Sequence, residues 1–293
     1  MKLSNSRDCP LCGARPKRLS FPYATFFNSI QFCYLKCSTC KSVFVDPLPD
    51  EQTFAQMYAK SSYHDCYYDG TDGADYEDSA RLLRKYLEPS STVLDYGCGM
   101  GSFLRACRSQ GLEPVGVEFD QDTAKFAASN ANCQVLTVQA FSKLSTRFAF
   151  DAIHLGDVLE HLPKPMETLA LLLKFLKPGG VLFVEGPIEE NPSLVLWAVK
   201  IFGQLKHFLK PKFMPNDPPT HLFRTNAHSQ KAFLMRVNQG LTMCHWQIYE
   251  TGWPYKSGGV IKSYIAKSAI FLSGRHIKDM TYGNRFKALM LKD

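Results

Sequence analysis

Acidic residues are scarce at one end of this 293-residue chain. Residues 191–293 carry 15 Lys/Arg against 4 Asp/Glu, whereas residues 1–190 carry 19 against 23, so the net charge of +7 conceals segments of +11 and −4. The basic third fits either a solvated face or an acidic partner: a phosphorylated small molecule, an anionic lipid surface or nucleic acid. Long apolar runs are missing too. No stretch of 18 or more uncharged apolar residues occurs, which excludes a membrane-spanning helix. The opening residues MKLSNSRDCP lack the apolar run of a secretory signal. A soluble, cytoplasmic protein is expected. No thioredoxin-like context surrounds the Cys-x-x-Cys pairs, and the other cysteines scatter through apparent core segments. A reducing compartment with a metal site therefore fits better than a disulfide framework.

What is present is enough for one large domain with a small appendage, since 45% of the residues are hydrophobic. Cys9-x2-Cys12 lies in CPLCGARPK and Cys37-x2-Cys40 in CSTCKSVFVDP. Each pair offers two thiolates from one tight turn; two turns complete a tetrahedron, and four thiolates favour zinc. Residues 1–48 thus read as a zinc ribbon with ligands Cys9, Cys12, Cys37 and Cys40, and Cys33 as a spare. So small a unit has too little core to fold without its metal. Residues 49–80 form a Tyr-rich bridge.

The segment STVLDYGCGMGSFLRACRS reads as a buried strand at Val93 and Leu94, a turn at Gly97, Gly99 and Gly101, and a helix over 103–109. A glycine loop alone is weak evidence, and Asp95 gives it meaning. Two residues before Gly97, a carboxylate would repel the pyrophosphate that a dinucleotide loop holds with its backbone N–H groups. S-adenosylmethionine has no phosphate; it has a cationic amino group and a sulfonium that such a carboxylate can help hold. Glu118 ends the next strand, PVGVEFD, where it can accept hydrogen bonds from both ribose hydroxyls, and Phe119 is placed to pack on adenine.

Further strands and helices alternate through CQVLTVQAF, FAFDAIHLGDVLEHL, METLALLLKFL, LKPGG with VLFVEGP, and on to a closing strand NRFKALMLK. The pattern predicts an α/β fold over residues 81–293: a doubly wound, seven-stranded, mostly parallel sheet, with an insertion near 190–220 acting as a lid. In it, LKPGG ends a helix and re-enters the sheet. DYGCGMG, Glu118, DVLEH and LKPGG in this order resemble class I S-adenosylmethionine-dependent methyltransferases, over roughly residues 80–293. The ribbon with its VFVDPLP…MY bridge is similar to a subgroup associated with modification of sugars, glycans or other small metabolites.

The resemblance implies that the acceptor approaches beside the fourth strand, next to Asp157, Glu160 and His161 in GDVLEHLPKP. Asp157 is a candidate contact to the methionine end of the cofactor and His161 a candidate base, against a helix-capping turn without chemistry. His221, about 60 residues on, completes a second pattern. Acid-x-x-Glu-His followed by a distant His is similar to metal-dependent small-RNA 2′-O-methyltransferases, and the first part to ubiquinone-pathway O-methyltransferases. By that resemblance Asp157, Glu160, His161 and His221 would share a divalent ion that lowers an acceptor hydroxyl's pKa. Asp157 stands where those patterns favour Glu, a shorter reach. Tyr58, Tyr63, Tyr67 and Tyr68 are candidate covers of the cofactor, and Glu185, Glu189 and Glu190 candidate acceptor contacts. The insertion PSLVLWAVKIFGQLKHFLKPKF, with Lys200, Lys206, His207, Lys210 and Lys212, suits a lid or an anionic membrane surface. The expected activity is methylation of a small or carrier-linked, anionic metabolite, at a hydroxyl of a sugar or glycan precursor; the alternative is an rRNA methyltransferase that binds nucleic acid through the ribbon and the basic third.

Overall fold

A computed structural model of the chain describes residues 6–58, 76–145, 149–210, 215–277 and 280–293. Tyr63, Tyr67, Tyr68 and Lys212 lie outside the described residues. The chain opens with β1 (Pro16–Phe27), β2 (Ile30–Cys37) and β3 (Val43–Asp46), then α1 (Glu51–Met57) and α2 (Glu77–Arg84). There follow β4 (Thr92–Tyr96), α3 (Ser102–Ser109), β5 (Glu113–Glu118), α4 (Gln121–Ala131), β6 (Val135–Thr137), the short α5 (Val138–Phe141) and β7 (Phe150–Gly156). The remainder is α6 (Pro165–Leu172), β8 (Leu176–Pro187), α7 (Leu194–Leu209), β9 (Phe223–Arg224), α8 (Ala227–Val237), β10 (Leu241–Tyr249) and α9 (Val260–Phe271). The small pair β11 (His276–Ile277) and β12 (Met280–Thr281) precedes β13 (Arg285–Lys292).

The large sheet has seven strands in the order β10-β13-β8-β7-β4-β5-β6. β4, β5, β6, β7 and β8 pair in parallel, and β13 runs antiparallel to both of its neighbours. Central strands carry consecutive buried residues, Val93 and Leu94 in β4 and Val181 to Val184 in β8, because helices cover both faces. The chain enters at β4, winds outward to β6, then returns to β7 on the other side. The connections leaving the C-terminal ends of β4 and β7 thus run to opposite sides along the sheet, which makes this the switch point where open α/β sheets bind ligands.

LKPGG follows the helical turn that ends at Phe175 and leads into the sheet, as expected, and does so through a bulge. Residues 176–187 form one strand, with Lys177 to Gly180 inside it, and the pairing slips between Phe150↔Leu176 and Ala152↔Val181. Gly179 takes φ +72° in this bulge, and a Cβ on Gly180 would sit 3.0 Å from the Asp151 carbonyl oxygen, so glycines serve the irregularity.

The ribbon is not a detached unit. Its sheet, β1-β2-β3, is completed by β9, with Val43 opposite Arg224 and Phe44 opposite Phe223. Cys9, Leu11, Leu35 and Phe44 share one hydrophobic cluster with Phe223, Phe233 and the β7–β8 core. An Arg236 guanidinium donor on α8 also reaches the Leu11 carbonyl. The division at residue 48 follows chain order, while the packing joins both parts.

Candidate active site

A cavity of about 850 Å³ opens at the switch point and brings together residues from opposite ends of the sequence. One end is built by β4, β5 and the loops after them. Asp95, Gly97, Gly99, Glu118 and Phe119 line it. Gly97 has φ +81°, and a Cβ there would lie 2.4 Å from a Val158 methyl, so the tight turn requires glycine. Glu118 fixes the loop from the neighbouring strand: one carboxylate oxygen accepts from the Gly99 N–H at 2.8 Å and the other from Phe119 N–H at 2.7 Å. Phe119 is partly exposed, edge-on to Phe54 from α1 at 6.1 Å. Gly101 stands behind the wall instead of in it. Its φ is +83°, and the missing side chain makes room for the α4 backbone at Ala127, 3.1 Å from where a Cβ would be.

Across the cavity, a turn of 3-10 helix at Leu159–His161 buries Glu160 and His161 and faces them to His221. Ligand-capable atoms of these three lie within 4.8 Å of one another. Asp157 is not in that cluster, which corrects the four-residue metal set. It adopts φ +55°, and the Arg285 guanidinium holds its two oxygens at 2.7 and 2.6 Å, with the Tyr76 hydroxyl donating at 3.2 Å. Burial opposes its charge, but Arg285 keeps the carboxyl below its usual range. Asp157 still lines the cavity, as does Arg285 itself.

The hydrogen bonds of the histidines define which nitrogen each presents. His161 Nδ1 is 2.7 Å from the Thr220 carbonyl oxygen, which can only accept, so Nδ1 carries the proton. The Tyr58 hydroxyl lies 2.9 Å from the same nitrogen and donates to the same carbonyl. His161 Nε2 keeps its lone pair and faces Glu160 Oε1 at 3.8 Å. Burial, then the neighbouring His221, lowers the His161 pKa to about 3, so the ring is neutral. Burial also pushes the Glu160 carboxyl up to about 7. His221 Nδ1 donates to Glu189 at 3.0 Å, and Arg224 contacts the same oxygen at 3.0 Å. Burial lowers the His221 pKa, but Glu189 outweighs it and the net shift is upward. Arg224 and His221 hold Glu189 well below the usual carboxylate range despite burial.

Other expected contacts lie elsewhere. Glu185 is buried beneath the cavity, accepting from Ser79 at 2.9 Å and facing His154 Nε2 at 3.1 Å. Glu190 lies between Lys36 and Lys200, at 2.6 and 2.7 Å, and is not part of the wall. Tyr58 and Glu189 do line it. Of α7, only Leu196 in the first turn reaches it, so the insertion is not a lid along its length. Two residues escaped the sequence reading. His154 Nδ1 faces Asp95 at 2.8 Å, with Phe103 stacked on the ring at 3.7 Å. Burial disfavours its charge, but Asp95 and then Glu185 raise its pKa to about 9, so one oxygen of Asp95 is already committed to an imidazolium. A polar residue in the apolar strand DAIHL was the available signal. Arg285 had none, being 128 residues from Asp157.

In the ribbon, Cys9, Cys12, Cys37 and Cys40 converge, with Sγ separations of 3.6 Å (Cys9 to Cys40) and 3.4 Å (Cys12 to Cys37). A tetrahedron of thiolates at zinc bond lengths has edges of about 3.8 Å, so the four sulfurs fit that ion with a small expansion.

Residues 71–229, more than half of the chain, match the methyltransferase-domain family. The chain belongs to that family. The methyltransferase domain is 31% identical over 126 residues to ubiquinone biosynthesis O-methyltransferase of Pasteurella multocida, which covers 38% of this chain and 51% of that protein. It is 34% identical over 127 residues to the protein of the same name from Coxiella burnetii, covering 39% and 53%. The chain thus spans about half the length of the curated relatives it matches. Among solved structures, the plantazolicin methyltransferase BamL in complex with a triazolic desmethylPZN analog and SAH superposes with a TM-score of 0.51 at 16% identity, covering 82% of this chain and 93% of that one. That likeness shows that the methyltransferase domain has the class I, Rossmann-like fold.

Proposed function

We propose that the protein transfers a methyl group from S-adenosylmethionine to a hydroxyl of a small or carrier-linked molecule. One observation carries the reading: a single cavity joins the Gly97–Gly99 loop, with its Glu118 anchor, to a neutral His161 whose Nε2 lone pair faces inward beside Glu160 and His221. The bound cofactor supplies an electrophilic methyl group already activated by sulfonium charge. The chain's part is to orient donor and acceptor: His161 Nε2, its tautomer fixed by Thr220, can accept a hydrogen bond from the acceptor hydroxyl, while the Glu160 carboxyl, pushed up to about 7, is better matched to take up its proton. The relatives' name, which specifies O-methylation in ubiquinone biosynthesis, supports a hydroxyl acceptor. A sugar or glycan precursor rests only on the likeness of the ribbon and bridge to metabolite-modifying relatives. An anionic acceptor rests only on the basic last third of the sequence, since Arg285 and His221 in the wall are already paired with Asp157 and Glu189.

The same three side chains, Glu160, His161 and His221, fit a divalent ion, because each imidazole is held at Nδ1 by a carbonyl or carboxylate and offers Nε2. Such an ion would act as a Lewis acid toward the acceptor hydroxyl. Zinc in the four-cysteine cluster is a structural assignment. Titration calorimetry with S-adenosylmethionine and its demethylated product tests the central claim: binding is expected for both, weakened at least tenfold by Glu118→Ala. Absence of binding by the folded chain would remove the function.

A further inference from the structure

Exposed apolar side chains are concentrated on two adjoining helices. On α7, Ile201, Phe202, Leu205, Phe208 and Leu209 reach solvent, Phe208 at 81% exposure. At 100° per residue these five span about a third of the helix circumference. The opposite side is occupied: a Cβ on Gly203 would strike the Phe21 ring of β1, and His207 lies against Tyr23 at 5.0 Å. On α9, Val260, Ile261, Tyr264 and Phe271 are exposed, Val260 at 89%, while Ala266 and Ala269 face inward. The helices meet through Val195, Ala198 and Val199 against Ile265, Ala266 and Ala269, with Tyr255 between. Their outer stripes have no cover among the described residues.

Charge selects what covers them. From Asn191 to Tyr249 the only acid is Asp217, and from Thr251 to Ile277 there is none. Lys206, Lys210, Lys256, Lys262, Lys267 and Arg275 are all exposed on or beside the two helices. A second copy of the chain would set cations against cations, and nucleic acid would leave the Phe, Ile and Val side chains in water. No described helix is long and apolar enough to cross a membrane. A helix of this kind, lying flat, sinks its apolar face into the acyl boundary while its lysines meet lipid phosphates.

We propose that α7 and α9 form a docking face for an anionic lipid bilayer. Leu196 in the first turn of α7 and Trp253, ahead of α9, line the cavity, so docking sets its rim beside the bilayer. The proposal goes beyond the methyl-transfer reading and its test needs no turnover. The whole chain is mixed with vesicles of phosphatidylcholine alone and of phosphatidylcholine with one-third phosphatidylglycerol, and floated on a density gradient. Co-flotation is expected with the anionic vesicles only, and its loss at 0.5 M salt. Phe202→Glu with Phe208→Glu should abolish it, and each of Lys206→Gln and Lys210→Gln should weaken it about fivefold. Both sites face solvent, and retained circular dichroism confirms the fold. No flotation, equal flotation with neutral vesicles, a concentration-dependent dimer that Phe208→Glu disperses, or displacement from vesicles by RNA at physiological salt would overturn the assignment.

Discussion

His154 shows how one buried side chain carries both stability and site geometry. It sits between two carboxylates with almost no access to water, and removing its charge would leave Asp95 and Glu185 facing an uncharged ring. Its pKa is raised to about 9 in the folded chain against the ordinary 6.5. The stabilisation is therefore complete below about pH 6.5, where both states are protonated, and fades as pH rises toward 9. It amounts to about 3 kcal/mol. Urea midpoints measured from pH 6 to 9.5 should fall along this course in the natural chain. His154→Gln should lack the decline; an identical decline would assign it to another group. At the acid and histidine cluster, Glu189→Gln should weaken Mn²⁺ binding by calorimetry about tenfold or more without touching a ligand atom, since Glu189 orients the His221 ring. His161→Ala should abolish it. Asp95, Glu118 and His161 were legible because each stands at a fixed step from a glycine turn or a strand end. Arg285 and the Glu189–His221–Arg224 group were not, because those pairings arise only when β13 inserts beside β8 and when the chain after α7 folds back over the turn at Glu160.

At the scale of elements, the ribbon is the part whose partner was hidden. Its two cysteine pairs were plain in the sequence, but a strand of two residues, Phe223–Arg224, has no periodicity by which to find it. That strand couples the four-cysteine cluster to the cavity. β3 pairs with β9, the Val45 N–H donates to the Leu222 carbonyl, and the Leu222 N–H donates to the Glu160 carbonyl at 2.8 Å. His221 is the residue immediately before. With zinc as the proposed occupant of the four cysteines, Cys37→Ser with Cys40→Ser should lower zinc content, lower the thermal midpoint and weaken Mn²⁺ binding together. A variant that loses zinc yet keeps full Mn²⁺ affinity would show the two parts to be independent. The LKPGG segment was legible as the step from helix to sheet, but its bulge was not. Its Lys-Pro-Gly-Gly composition marks the end of a helix, and these four residues stand in the register jump between Phe150↔Leu176 and Ala152↔Val181 as a bulge at the start of β8.

For the whole molecule, alternation of strands and helices was sufficient to read the doubly wound sheet, because crossover connections between parallel strands leave few topologies open. The switch point followed from it, and with it the location of the cavity between β4 and β7. What the cavity accepts depends on charge placement that the topology leaves open, and this gives a prediction that separates two cofactor classes on one fold. Glu118 holds the loop through the Gly99 N–H and stands at the ribose end, a position both cofactors use, so the discriminating carboxylate is Asp95, at the strand end where a dinucleotide would bring its pyrophosphate. Repulsion there disfavours NAD, while the cationic amino acid end of S-adenosylmethionine is attracted. Ligand at 100 times its Kd adds about 2.7 kcal/mol to the folded state. For a chain of this size that corresponds to a rise of roughly 4–5 °C in thermal midpoint. SAH at saturating concentration should produce such a rise and NAD should leave the midpoint unchanged. Glu118→Ala should diminish the response to SAH without creating one to NAD, because Asp95 remains. A rise with NAD equal to that with SAH would mean that Asp95 does not govern the choice of cofactor.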